Sequence, residues 1–185
     1  MFIVLEGIDG CGKSSLAPIL ANRLNGVVYA TPPEKYRDMR KKIDTTASIE
    51  KHYEFYRDAV IEASIEIADI LHSGKTVVCD RYWLSTIVYH RAGGLNLDES
   101  VFSKLIQPEL TVLLQVSPEI QVQRSTKRGV NACDGQISGK QIELTNLFWN
   151  ALLVSKLPFI AINTDNFSID QCTNIVLGAL SKNNK

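Results

Sequence analysis

An α/β fold, with a parallel sheet covered by helices on both faces, is what the sequence predicts. Three observations carry it. Five short apolar runs punctuate the chain, helical patterns fill the gaps between them, and a glycine-rich loop ending in Lys-Ser-Ser follows the first run directly. Short apolar strands separated by helices need crossover connections, which make the strands parallel and bury both faces of the sheet. At 185 residues, 45% hydrophobic and 22% charged, the composition is ordinary for a globular chain, and one domain over residues 1–185 is expected.

The elements follow in order. "FIVLE" predicts a strand over 2–6. Leu16, Ile19, Leu20 and Leu24 recur at helical spacing and predict a helix over 13–24. Pro18 lies about one turn into it and cannot donate to the Ser14 carbonyl, so a distortion is expected. A strand over 26–30 leads through "TPPEKYR" to a helix over 34–43. A long helix over 49–72 carries Tyr56, Val60, Ala63, Ile67 and Ile70 on one stripe and stops at Gly74. Strands over 76–80, 110–116 and 158–162 alternate with helices over 82–91, 98–107, 118–128, 140–155 and 168–181. Ser117 and Pro118 read as N-cap and first helical residue, Ser168 with Gln171 as a capping box, and Gly129 as a helix stop.

The loop itself, "GIDGCGKSS", fits the phosphate-loop pattern through Gly7, Gly12, Lys13 and Ser14. Glycine lets the backbone curl so that its amides point inward at a polyphosphate. Gly7, Gly10, Cys11, Gly12, Lys13, Ser14 and Ser15 are the candidate ATP-binding residues. Lys13 would reach the terminal phosphates, and Ser14 would serve Mg²⁺.

Several classes are disfavoured. With 20 basic and 20 acidic side chains the formal net charge is zero, which argues against a nucleic-acid polymer as partner. No apolar run approaches the roughly 18 residues of a membrane span. The N-terminal apolar stretch leads straight into the loop and reads as a strand, not a signal peptide. Cys11, Cys79, Cys133 and Cys172 are scattered without a C-x-x-C pair, which suits free thiols and a cytoplasmic location. His52, His72 and His90 lack zinc spacing.

Ligands of such sheets gather at the carboxyl ends of the strands. There the third strand runs into "DRYWLSTIVYH", where Asp80 can hold Mg²⁺ and Arg81 can fork onto a phosphate. Lys35, after the paired prolines, is a candidate for a second phosphate contact. Tyr53 and Arg57 share a helix face, either as a base platform or as plain packing and an ion pair. Arg124 and Arg128, before the polar "GVNACDGQISGK", predict a phosphate-closing lid over about 125–140.

These motifs together resemble the thymidylate kinase family of nucleoside monophosphate kinases. "FIVLEGIDGCGKSS" is similar to its F-I-x-x-E-G-x-D-G-x-G-K-[ST] opening, and "DRYWLSTIVYH" to its D-R-[YF]-x-x-S-x-x-A-Y-Q. "PELTVLLQVSPEIQVQR" is similar to its P-D-L-x-x-x-L-x-V-x-P-E-x-x-x-x-R. The resemblance spans nearly the whole chain. It implies a P-loop NTPase fold and transfer of the ATP γ-phosphoryl to a deoxynucleoside monophosphate, dTMP to dTDP, with Mg²⁺ as cofactor. It further implies that Asp9, Asp80 and Arg81 serve the metal and the acceptor phosphate, with Lys35 in place of an F-P-x-R arginine. Tyr53 and Arg57 would contact the thymine, Thr86 would lie near the base, and Tyr89 would crowd the sugar 2′ position. Lys13, Asp9, Arg81, Arg124 and Arg128 form the expected catalytic set. Dimers are common in the family, which makes a second copy of the chain a candidate partner beside small-molecule nucleotides. His90 stands for the family's Gln, Val88 for its Ala, and "CDGQ" for its lid D-R-[FY]-E. Two alternatives stay open: a deoxynucleoside kinase, with Glu34 as general base, and a non-catalytic nucleotide-binding paralogue.

Overall fold

A computed structural model describes residues 1–128 and 139–183, without the side chains of Ser125, Lys127, Arg128 and Asn183. Five strands form one all-parallel sheet: β1 (Phe2–Glu6), β2 (Val27–Ala30), β3 (Val77–Asp80), β4 (Leu110–Gln115) and β5 (Phe159–Asn163). Their order is β2-β3-β1-β4-β5. From β1 the chain goes to the edge strand β2, returns inward to β3 beside β1, then crosses to β4 on the other side. The loop after β1 therefore opens where strand order reverses, which is where ligands bind in sheets of this kind.

The central strands are the core. All five residues of β1 are buried, as are Val77, Val78 and Cys79 of β3 and Leu110 through Leu114 of β4. Helices α1 (Lys13–Arg23), α2 (Arg37–Thr46), α3 (Ile49–His72), α4 (Trp83–Ala92), α5 (Pro118–Arg128), α6 (Gln141–Ser155) and α7 (Ile169–Asn183) surround them. The capping signals are realised. Ser168 and Gln171 exchange both bonds of the capping box, and the Ile120 amide donates to Ser117 Oγ. Ser48, not singled out from sequence, caps α3 through the Lys51 amide.

Three expectations change. Pro18 does not interrupt α1, since it lies on the exposed face, where water can serve the Ser14 carbonyl. The segment 34–43 splits into a 3-10 turn, Glu34–Tyr36, followed by α2. The segment 98–107 is not an α-helix but a 3-10 turn, Glu99–Phe102, and irregular chain. Buried Phe102 and Leu105 anchor it, Phe102 stacking on Trp83, and Pro108 turns the preceding backbone away from helix. Gly129, Cys133 and most of the expected lid lie outside the described residues. Cys11, Cys79 and Cys172 are free and buried. Among the described residues no helix is long and apolar enough to cross a membrane.

Candidate active site

The phosphate loop is held by glycine geometry. Gly7, Gly10 and Gly12 have φ of 134°, 86° and 103°. A Cβ at Gly7 would lie 2.2 Å from the Leu114 carbonyl oxygen, so only glycine lets the loop pass β4. α1 starts at Lys13 with no side-chain cap and no acidic residue in its first turn. Its first amides and positive dipole end are thus left to an anion. Buried Lys13 donates from Nζ to the Gly7 and Ile8 carbonyls, both at 2.9 Å. Cys11 is fully buried and offers a ligand only its backbone, while Ser15 is exposed on the first turn of α1. Ser14 Oγ donates to Asp80 Oδ2 at 2.6 Å. A hydroxyl and a carboxylate at the loop mouth are hard oxygen donors and fit Mg²⁺, which takes few protein ligands and completes its shell with phosphate and water. Among the described residues no group of three or more His, Cys, Asp or Glu forms a cage for a metal.

Arg81 is the hub. Its backbone φ is 68°, unusual for a side chain-bearing residue, and its amide donates to the Leu5 carbonyl. Nη1 donates to the Gly7 carbonyl at 3.1 Å and to Ser85 Oγ at 3.0 Å; Nη2 donates to Asp9 Oδ1 at 2.5 Å. The guanidinium lies 5.2 Å from the Tyr89 ring centroid. Burial would raise the Asp9 carboxyl, but the Arg81 and Lys13 charges outweigh it and hold it below its usual value.

Beneath Arg81 sits a residue the sequence reading did not single out. Glu6 ends β1 fully buried and accepts from the Tyr82 amide at 2.9 Å, the Ser85 amide and the Ser85 hydroxyl. It supplies the missing N-terminal cap of α4, whose own cap residue makes no side-chain bond. Burial pushes its carboxyl up to about 7, against the pull of Ser85 and Arg81. The available signal was a lone carboxylate closing an otherwise apolar strand.

A cavity of about 360 Å³ opens beside Arg81 and Asp9, between α2, α3 and α4. Thr86 and Tyr89 line it. Burial pushes the Tyr89 hydroxyl well above its usual range. The α3 wall is made by Ile49, His52 and Tyr56. Tyr53 and Arg57 do not line the cavity: Tyr53 packs edge-on to His90 from behind, and Arg57 pairs with Asp58 at 2.8 Å. Lys35 also lies off the wall, bonded to Glu62 and Glu66 of α3, and the cation α2 presents instead is Arg40. The spacing that picked out 53 and 57 fits 52 and 56 equally, and those residues lie one hundred degrees round the helix. Tyr56, four before buried Val60, carried the phase. Glu34 pairs with Arg37 on the exposed 3-10 turn and does not line the cavity, so it is not placed as a base for a nucleoside hydroxyl.

On the other side of the loop, Arg124 of α5 donates to the Gly10 carbonyl at 3.3 Å and to Thr164 Oγ1 and carbonyl at 2.9 and 2.8 Å. Gln121 donates to the Asp9 carbonyl at 2.8 Å. α5 is thereby tied to the phosphate loop and to the end of β5. The Arg128 side chain lies outside the described residues.

This geometry has known counterparts. A family model described as thymidylate kinase matches residues 5–152. A probable thymidylate kinase of Archaeoglobus fulgidus is 36% identical over 142 residues, covering 70% of this chain and 71% of that protein. One of Methanococcus aeolicus is 31% identical over 186 residues, covering 92% of this chain and 90% of its own. The solved thymidylate kinase of Candida albicans superposes with a TM-score of 0.81 at 22% identity, covering 99% of this chain and 92% of that one, a likeness of fold. Phosphate loop, strand order and sequence kinship agree, and the chain belongs to the thymidylate kinase family.

Proposed function

We propose that this chain transfers the γ-phosphoryl group of ATP to the phosphate of dTMP, giving dTDP. The observation that carries it is the placement of Arg81. One guanidinium contacts the Gly7 carbonyl of the phosphate loop and lines the cavity where Asp9, Thr86 and Tyr89 converge. Donor and acceptor sites share that cation.

The acceptor is already an anion, so its attacking oxygen needs no strong general base. What remains for the protein is alignment and neutralisation of charge. Lys13 sits at the loop mouth and would exchange the Gly7 and Ile8 carbonyls for phosphate oxygens. Arg81, steered by Asp9 and Ser85, holds the acceptor phosphate in line. Glu6 fixes Ser85 and the start of α4. Arg124 stiffens the loop through the Gly10 carbonyl, and Arg128 would act with it on the donor phosphates. Ser14 and Asp80 would hold Mg²⁺, which when bound neutralises phosphate charge. Tyr89, on the cavity wall, would crowd a ribose 2′-hydroxyl. The buried free thiols suit a reducing cytoplasm.

An ATP-coupled assay across nucleosides and their monophosphates tests the reading. dTMP is expected first, dUMP second, dCMP poor, and nucleosides unphosphorylated. Turnover of nucleosides in preference to monophosphates, or no turnover of any acceptor, overturns it.

A further inference from the structure

The acceptor side of the cavity contains a continuous hydrogen-bonded chain across three helices. His90 Nδ1 lies 2.6 Å from the Thr86 carbonyl oxygen, and His90 Nε2 lies 2.8 Å from His52 Nδ1. His52 Nε2 lies 3.1 Å from Asp44 Oδ1. Tyr56 donates to that same Asp44 oxygen at 2.9 Å. Arg40 donates from Nε to Tyr56 OH at 2.9 Å and to Asp44 Oδ2 at 3.3 Å.

The Thr86 carbonyl can only accept, so His90 Nδ1 must carry a proton. His90 Nε2 and His52 Nδ1 share one proton between them. The Asp44 carboxylate accepts from His52 Nε2. Three bonds need three protons on the ring nitrogens, and two neutral imidazoles supply two. The pair therefore holds one more proton than two neutral rings, with Asp44 as its counter-charge. His90 is 2% exposed, and burial first, then the neighbouring His52, push it down to about 4, so the extra proton does not reside there. Burial would raise Asp44, but its bonds from His52 and Tyr56 and the Arg40 charge hold it below the usual carboxylate value. His52 is the ring that faces the Asp44 carboxylate, at 3.1 Å, and that contact places the extra proton on it.

The chain ends on Arg40, which lines the cavity with Arg81 and Asp9. Both of its bonds use Nε; among the described residues its terminal nitrogens have no hydrogen-bond partner. A guanidinium anchored by Nε with its fork left open is arranged to meet an anion. Lys35, which follows the second strand, is engaged by Glu62 and Glu66 instead.

We propose that His52 is a positioning residue for the acceptor: held as an imidazolium between His90 and Asp44, it fixes the carboxylate that sets Arg40 on the cavity wall. Arg40 is then the second cation for the acceptor phosphate, facing it from α2 as Arg81 does from the start of α4. This rests on the monophosphate kinase reading.

The test has two arms. Histidine ¹⁵N NMR of the wild-type protein near neutral pH should show His52 protonated on both nitrogens and His90 neutral with its proton on Nδ1. Asp44→Asn should remove the second proton from His52. A neutral His52 in the wild type overturns the proposal. In the kinetic arm, His52→Gln and Asp44→Asn should each raise the KM for dTMP about tenfold, the scale of one lost charged hydrogen bond. The KM for ATP should stay within about twofold. Unchanged dTMP KM in both variants, or equal loss for ATP and dTMP, overturns the proposal. A wild type that phosphorylates no monophosphate would refute the kinase reading instead. The NMR arm and dTMP binding by calorimetry to wild type and His52→Gln would still decide this one.

Discussion

Ser14 Oγ and Asp80 Oδ2 are 2.6 Å apart, a bond that joins the first turn of α1 to the carboxyl end of β3. Sixty-six residues separate them in sequence, and adjacent parallel strands bring them together. The pair supplies two hard oxygens at the mouth of the phosphate loop. Ser14→Ala and Asp80→Asn should each raise the Mg²⁺ concentration needed for half-maximal rate by about tenfold, while dTMP binding measured without metal stays within about twofold. Titration of Mg²⁺ at fixed ATP reads this directly. An unchanged Mg²⁺ requirement in both variants would remove the pair from the metal site.

Lys13 is a buried cation with carbonyl partners rather than an acid partner. Its charge is available to developing negative charge on the transferring group. Lys13→Ala should lower kcat by about 100-fold or more, the loss typical of a preorganised charge donor. Near-normal turnover in the variant would show that the loop binds without catalysing.

Glu6 and His90 give the fold two opposed pH dependences. Unfolded, His90 takes its proton near 6.5; folded, it does so only near 4. Between these values the unfolded chain binds more protons, so His90 makes stability fall as pH drops from 6.5 to 4. Glu6 does the reverse. Folded, it keeps its proton up to about 7, against 4.5 unfolded, so stability falls as pH rises from 4.5 to 7. Each contribution is about 3 kcal/mol over its window, so the two nearly offset between pH 4.5 and 6.5. Compared with wild type, Glu6→Gln should lose stability more steeply on acidification, and His90→Gln more steeply on alkalinisation. Urea unfolding at pH 4.5, 5.5, 6.5 and 7.5 measures both slopes. Parallel profiles for the three proteins would contradict the opposed titrations.

The fold and the phosphate side of the site were legible because their signals are local. Strand, glycine loop and helix are contiguous over residues 2–23, and Asp80-Arg81 follows its strand directly. The cavity wall was harder because its residues meet only through tertiary packing. His52 and His90 are 38 residues apart in sequence and bond across two helices. Lys35 stood at the right place in the chain but found carboxylates on α3, a partner choice that sequence position does not encode. On α3 itself a four-residue spacing identifies a shared face without saying which face looks inward.

Two i, i+4 pairs overlap on α3: Tyr53 with Arg57, and His52 with Tyr56. The family resemblance implies that the first pair meets the base, while the structure lines the cavity with the second. Tyr56 stacks on His52 with centroids 4.6 Å apart and planes 23° from parallel, and its hydroxyl joins Asp44 to Arg40. Removing it empties aromatic surface from the wall and takes away one of the two partners of Arg40 Nε. Arg57 holds an exposed pair with its neighbour Asp58, the kind of contact worth ~0–1 kcal/mol. Tyr56→Ala should therefore raise the KM for dTMP about tenfold or more, and Tyr56→Phe by less, since the ring remains and only the hydroxyl bridge is lost. Arg57→Ala should change it by less than about threefold and leave the preference for dTMP over dCMP in place. Steady-state kinetics of the three variants against dTMP and dCMP decide the matter. A large loss of base preference in Arg57→Ala, with Tyr56→Ala near normal, would put the base on the Tyr53 and Arg57 face and require α3 to turn that face inward when the acceptor binds.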